Sequence, residues 1–278
     1  MMHHQMIRSS SQADGRILDG REASIHFQLL RLARGQGATL SVAGCELAVV
    51  VLSGTCEVQV NSERFAGVGH RPDVWSGAGE VVYVPLGAVV SVVGASEAAE
   101  VAVVGGRTRE VRQPFRVAPE EVEAVEVGSL ETHSRRRIVH LLGQRHAGRV
   151  GNLLVSELYA DGGCWSGYPP HKHDTENPPE ETDFAELYHY RFRPESGFGA
   201  QLVYDRSGAS EAYVTRSGDT FYFTRGYHPT VTSPGHDEYL LTVLVGRHGR
   251  SLIQNFQEEH RGLMAVIPGI DAMRKKFR

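Results

Sequence analysis

The chain has 278 residues, 41% of them hydrophobic and 22% charged, with a formal net charge of −4. That length fits one large domain or two of moderate size with a real core. The mild negative charge offers no positive field for nucleic acid or a membrane surface, so neither is expected as a partner.

Residues 1–24 are polar and read as a loosely attached tail, in which His3 and His4 form a chance pair rather than a metal site. No apolar signal segment opens the chain and no stretch is long enough to span a bilayer, so the expected compartment is the cytoplasm. From residue 25 to 128 strand signals dominate. Glu46 to Leu52 is a continuous β-branched run, Ser53 and Gly54 make a turn, and Cys56 to Val60 alternates. Val81 to Val84 stops at Pro85, and Val89 to Val93 and Glu100 to Val104 follow. Residues 129–150 change character, with Arg135, Arg136, Arg137, Arg145 and Arg149, and read as a solvated connection rather than a substrate clamp.

Strand signals restart over 151–262, in Leu153 to Tyr159, His171 to Asp174, Glu186 to Phe192, Ala200 to Tyr204, Ala212 to Thr215, Thr220 to Thr224 and Glu238 to Val245; residues 263–278 read as a second tail. The stretch from Leu52 to Gly87 parallels the stretch from Phe192 to Gly226. In each, a glycine-led strand ends in a turn carrying a second glycine. A divergent internal repeat of this kind predicts an all-β chain of two tandem barrels with short connections. Cys45, Cys56 and Cys164 are odd in number and widely spaced, which predicts free thiols.

The most informative run is Pro169-Pro170-His171-Lys172-His173-Asp174. In a strand, alternation puts His171 and His173 on one face and Lys172 on the other. Glu186 heads an apolar-aromatic strand, and the turn Arg225-Gly226-Tyr227-His228-Pro229 delivers a third imidazole. Three imidazoles and one carboxylate suit zinc, with manganese or iron as alternatives, so His171, His173, Glu186 and His228 are the candidate ligands.

This arrangement resembles the cupin superfamily, with Gly218 and Gly226 framing the second motif. The runs Tyr168 to Asp174, Glu186 to Tyr188, Gly197 to Gly199 and Gly226 to Pro229 more narrowly resemble 5-deoxy-glucuronate isomerases of bacterial inositol breakdown, which are related to 4-deoxy-threo-5-hexosulose-uronate ketol-isomerases. The resemblance extends into the first half through Leu52 to Gly54, Gly69 to Arg71 and Tyr83 to Pro85. It implies a bicupin of jelly-roll type with metal only in the second barrel, and an aldose–ketose isomerisation of a deoxy-uronate. Tyr188 and Tyr222 are then the candidate catalytic residues. Tyr190 and Gln201 are candidates for the sugar hydroxyls, and Arg225 and Lys172 for the substrate carboxylate, which needs a cation. An Fe(II)-dependent oxygenase and a non-catalytic sugar-acid-binding module remain open alternatives, as does a homo-oligomer.

Overall fold

The computed structural model describes residues 4–11, 15–20 and 23–277. Among them the chain is almost entirely antiparallel β-structure, with one short α-helix, Ile270–Lys276, near its end. Two units share the same central strand order and differ at the edges of their large sheets. In the first, a six-stranded sheet runs Phe115–Val117, Glu80–Val84, Cys45–Ser53, Ala98–Arg107, Ile25–Ala33, Arg16–Leu18; it faces a four-stranded sheet of Gly37–Leu40, Val90–Gly94, Cys56–Val60 and Glu63–Val68. In the second, a seven-stranded sheet runs His4–Ile7, Thr220–Phe223, Phe184–Arg193, Asp237–Gly246, Leu153–Ala160, Arg136–Leu142, Glu123–Val127; its four-stranded partner is Trp165–Ser166, Thr230–Thr232, Phe198–Tyr204 and Ser210–Arg216. The repeat seen in the sequence is therefore a correspondence of central strands: Cys45–Ser53 and Phe184–Arg193 hold equivalent places, as do Glu80–Val84 and Thr220–Phe223. Large and small sheets stay separate among the described residues, so neither unit closes into the hydrogen-bonded barrel expected.

The two large sheets pack against each other, and this accounts for the continuous apolar runs. Along Asp237–Gly246, Tyr239, Leu241, Val243 and Val245 face a core shared with Ile25, Phe27 and Val50 of the first unit. Leu240 and Leu244 face the interior of the second unit. A strand buried on both faces has no need to alternate. Polar staples join the units: Glu46 accepts from the backbone N–H groups of Gly151, Asn152 and Leu153, and buried Arg71 pairs with buried Glu157.

Three segments differ from expectation. His4–Ile7, placed in the 1–24 tail, pairs register-for-register with Thr220–Phe223 and so covers an edge whose backbone groups would otherwise stay open. His4 is held by the Tyr213 hydroxyl at 2.8 Å; His3 lies outside the described residues. The 129–150 connection contributes a full strand, Arg136–Leu142, because Ile138 to Leu142 is apolar enough to be buried between Leu153–Ala160 and Glu123–Val127. Within the expected tail 263–278, Ile270, Met273 and Phe277 insert into the second unit's interior. The three cysteines are free and buried.

Candidate metal centre

Alternation along Phe184–Arg193 sends Glu186, Tyr188, Tyr190 and Phe192 into the second unit's interior and His189 and Arg191 the other way. That other face meets the first unit rather than solvent. His189 lies against Phe27 at 5.3 Å between ring centroids, and Arg191 pairs with Glu100 at 3.0 Å. His171–Lys172 is a two-residue strand paired with Asn255–Phe256, and the imidazoles of His171 and His173 both turn inward. Gly226 has φ +90°, and a Cβ there would meet the Tyr204 carbonyl oxygen at 2.9 Å. Only glycine makes this turn without strain, and the turn carries His228 inward.

One donor atom each from His173, Glu186 and His228 falls within a 4.8 Å cluster, with all three residues buried. His173 Nε2 lies 2.8 Å from Glu186 Oε2, and His228 Nε2 lies 3.4 Å from the same oxygen. Each imidazole has its Nδ1 beside a backbone carbonyl: Phe184 for His173 at 3.2 Å, Gly226 for His228 at 2.9 Å and Pro169 for His171 at 3.0 Å. Donation from Nδ1–H leaves the Nε2 lone pairs aimed at the cluster, the arrangement metal-ligating histidines adopt. His228 Nε2 is buried without a hydrogen-bond partner, so a cation there would satisfy an otherwise orphaned atom. Burial opposes ionisation of Glu186, yet the adjoining imidazoles of His173 and His228 hold its carboxyl at about 2. The donor set thus fits a divalent ion.

His171 stands beside this cluster rather than in it. Its ring lies 5.1 Å from that of His228 between centroids, and its Nε2 accepts from the Gln254 amide at 3.0 Å. Burial and the two neighbouring imidazoles lower its pKa to about 3. It is therefore a neutral donor standing beside the cluster.

The other predicted residues divide. Tyr188 belongs to the site: it lines the same cavity as His171 and Glu186, and burial, with the nearby Glu186 charge, raises its pKa well above the ordinary value. Tyr190 and Gln201 are buried behind it. The Tyr190 hydroxyl donates to Gln201 Oε1 at 2.7 Å, and Gln201 Nε2 donates to the carbonyls of His228 and Leu202 at 2.8 Å, so this pair braces the His228 turn. Tyr222 was expected beside the metal but faces the opposite way. The register sets Glu186 against Phe223 and Leu187 against Tyr222, so Tyr222 shares the face of Leu187. It lines a separate cavity together with exposed Arg225. Lys172 is committed to Asp174 at 2.6 Å and Glu181 at 2.8 Å. Neither cation expected for a carboxylate therefore reaches the cavity.

The residue overlooked is Arg136. It is 2% exposed and lines the cavity with His171, Glu186, Tyr188 and Gln254. Its Nη1 donates to the Ser134 carbonyl at 2.8 Å and its Nη2 to the Tyr168 carbonyl at 2.7 Å. Burial lowers its pKa to about 10, which leaves it charged at neutral pH. The signal lay in the sequence: an arginine run entering a β-branched stretch must turn its middle member opposite to its neighbours.

A family model described as the KduI/IolB family matches residues 6–263. The chain belongs to the KduI/IolB family. A 5-deoxy-glucuronate isomerase of Geobacillus kaustophilus is 33% identical over 227 residues, covering 80% of this chain and 79% of that protein. The 5-deoxy-glucuronate isomerase of Bacillus subtilis strain 168 is 30% identical over 224 residues, covering 80% and 81%. The crystal structure of an IolB-like protein from Salmonella typhimurium LT2 superposes with a TM-score of 0.81 at 26% identity, covering 94% of each chain. Oxalate decarboxylase from Bacillus subtilis shares the fold, with a TM-score of 0.56 at 13% identity, over 87% of this chain and 71% of that one. As a KduI/IolB family member, this chain is an isomerase.

Proposed function

We propose that this chain is a metal-dependent aldose–ketose isomerase of a deoxy-uronate, with a bicupin architecture, acting in the cytoplasm. The substrate that its relatives' names favour is 5-deoxy-glucuronate, converted to 5-dehydro-2-deoxy-gluconate in inositol catabolism. The observation that carries the reading is the buried cluster of His173, Glu186 and His228, of which Glu186 lines one cavity together with Tyr188. These three residues, with His171 turning from Gln254 to join them, would hold one divalent ion, zinc first by the donor set and manganese or iron otherwise. When bound, such an ion supplies Lewis acidity toward a carbonyl oxygen.

The chain's own groups do the rest. Phe223, Phe256 and Phe184 pack around the imidazoles, with ring centroids 4.3 Å from His228, 5.2 Å from His171 and 6.4 Å from His173. They exclude water from the reacting end of the sugar, and a dry site strengthens every polar contact within it. The Tyr188 hydroxyl stays protonated at neutral pH and serves as a donor to a sugar oxygen as charge develops there. Isomerisation moves a carbon-bound proton without net oxidation, so it needs no electron acceptor from the protein.

The test combines elemental analysis of the purified enzyme with an assay on 5-deoxy-glucuronate in heavy water. About one metal per chain and deuterium at the former carbonyl carbon are expected; an unlabelled product would point to hydride transfer within the same reaction class. Stoichiometric oxygen consumption, or turnover only with iron in air, would remove the isomerase reading and favour an oxygenase.

A further inference from the structure

We propose that Arg136 is the carboxylate-binding residue that makes this site select an acidic sugar. The inference rests on the isomerase reading and names what recognises the far end of its substrate.

Arg136 is buried, it lines the cavity that Glu186 and His171 also line, and none of the ion pairs among the described residues involves it. Its neighbours in the run differ: exposed Arg135 pairs with Asp161 at 3.3 Å and exposed Arg137 faces Glu126 at 3.6 Å. A guanidinium taken out of water without a carboxylate is costly, and proteins retain such a charge where an anion completes it. Two of its N–H groups are fixed by the Ser134 and Tyr168 carbonyls, which lock the plane of the fork and leave other donors unassigned. Glu186 is the one carboxylate lining the cavity, and the imidazoles of His173 and His228 engage it. The anion must therefore come from outside the chain.

The walls narrow the choice of ligand. The lining is apolar at Leu158, Leu240 and Met273 and polar at Ser156, Ser166 and Thr242. A ligand that sets hydroxyls against the polar lining and an unsubstituted methylene against the apolar lining loses no hydrogen bond. The ligand chemistry that matches these groups is an open-chain molecule with a carbonyl toward the cluster and a carboxylate toward Arg136. Arg225 and Lys172 cannot take this role, being outside the cavity or already paired.

The test measures binding of 2-deoxy-gluconate, a non-reacting acid, and of 2-deoxy-glucitol, its uncharged counterpart, to metal-loaded wild type, Arg136→Met and Arg136→Lys. Truncating a buried charged partner in Arg136→Met should weaken acid binding by at least about 30-fold, with metal content and binding of the neutral sugar unchanged. Arg136→Lys keeps the charge but loses the fork, so it should bind the acid with intermediate affinity. If Arg136→Met does not fold, an Arg136→Lys protein binding the acid as tightly as wild type overturns the proposal. So does unaltered acid binding by Arg136→Met. Should the acid bind through Arg136 while no sugar acid turns over, the proposal stands and the isomerase reading falls.

Discussion

Gln201→Leu separates a group that touches substrate from one that braces a ligand. Gln201 is fully buried; it accepts from the Tyr190 hydroxyl at 2.7 Å and donates to the His228 carbonyl at 2.8 Å. Leucine fills nearly the same volume, so packing changes little, but both partners lose their hydrogen bonds. Each orphaned buried group costs about 1–3 kcal/mol, which places the total near 4 kcal/mol. The His228 turn also loses its tether, and loss of a group that orients a metal ligand weakens metal binding by about 10–100-fold. Chelator competition would give the metal affinity, urea unfolding of the metal-free protein the stability, and steady-state kinetics the KM of the fully loaded enzyme. A raised KM with metal affinity within about 3-fold and stability within ~1 kcal/mol of wild type would refute the bracing role and return Gln201 to the sugar hydroxyls.

Two further outcomes follow from buried charges. Glu238 is fully buried, and burial raises its carboxyl to about 7 despite a partly opposing contact from Thr232. Its raised folded-state pKa means that the stability it lends is complete below the unfolded value near 4.5 and is lost as pH rises through about 7. Glu238→Gln should therefore be the more stable protein at pH 8, by about 3 kcal/mol, with the difference vanishing near pH 4; parallel pH–stability curves would contradict this. Arg71→Ala leaves Glu157 buried without its guanidinium, though the Gly79 N–H and the Tyr239 hydroxyl still donate to it. Unfolding should become easier by about 3 kcal/mol, and a loss under ~1 kcal/mol would mean this staple between the units contributes little.

Much of the site was legible because its signals are local. Alternation by itself turns His171 and His173 one way and Lys172 the other, and the structure keeps that division. Free cysteines, β-class and the repeat likewise come from short-range pattern. What lay beyond the sequence depends on register and on which sheet covers which. Tyr188 and Tyr222 are both strand tyrosines in aromatic runs, yet the pairing of Glu186 with Phe223 puts them on opposite faces. The face carrying His189 meets the first unit, and nothing local in the sequence announces that two large sheets will stack. Arg136 was hidden for the same reason. A charge run is a solvated surface until a neighbouring strand, a carbonyl from Tyr168 and the apolar end of the chain close over its middle member. Sequence determines which side chains share a face, because that follows from backbone geometry two residues at a time. Only the tertiary structure decides what each face meets, because that is set by contacts between residues far apart along the chain.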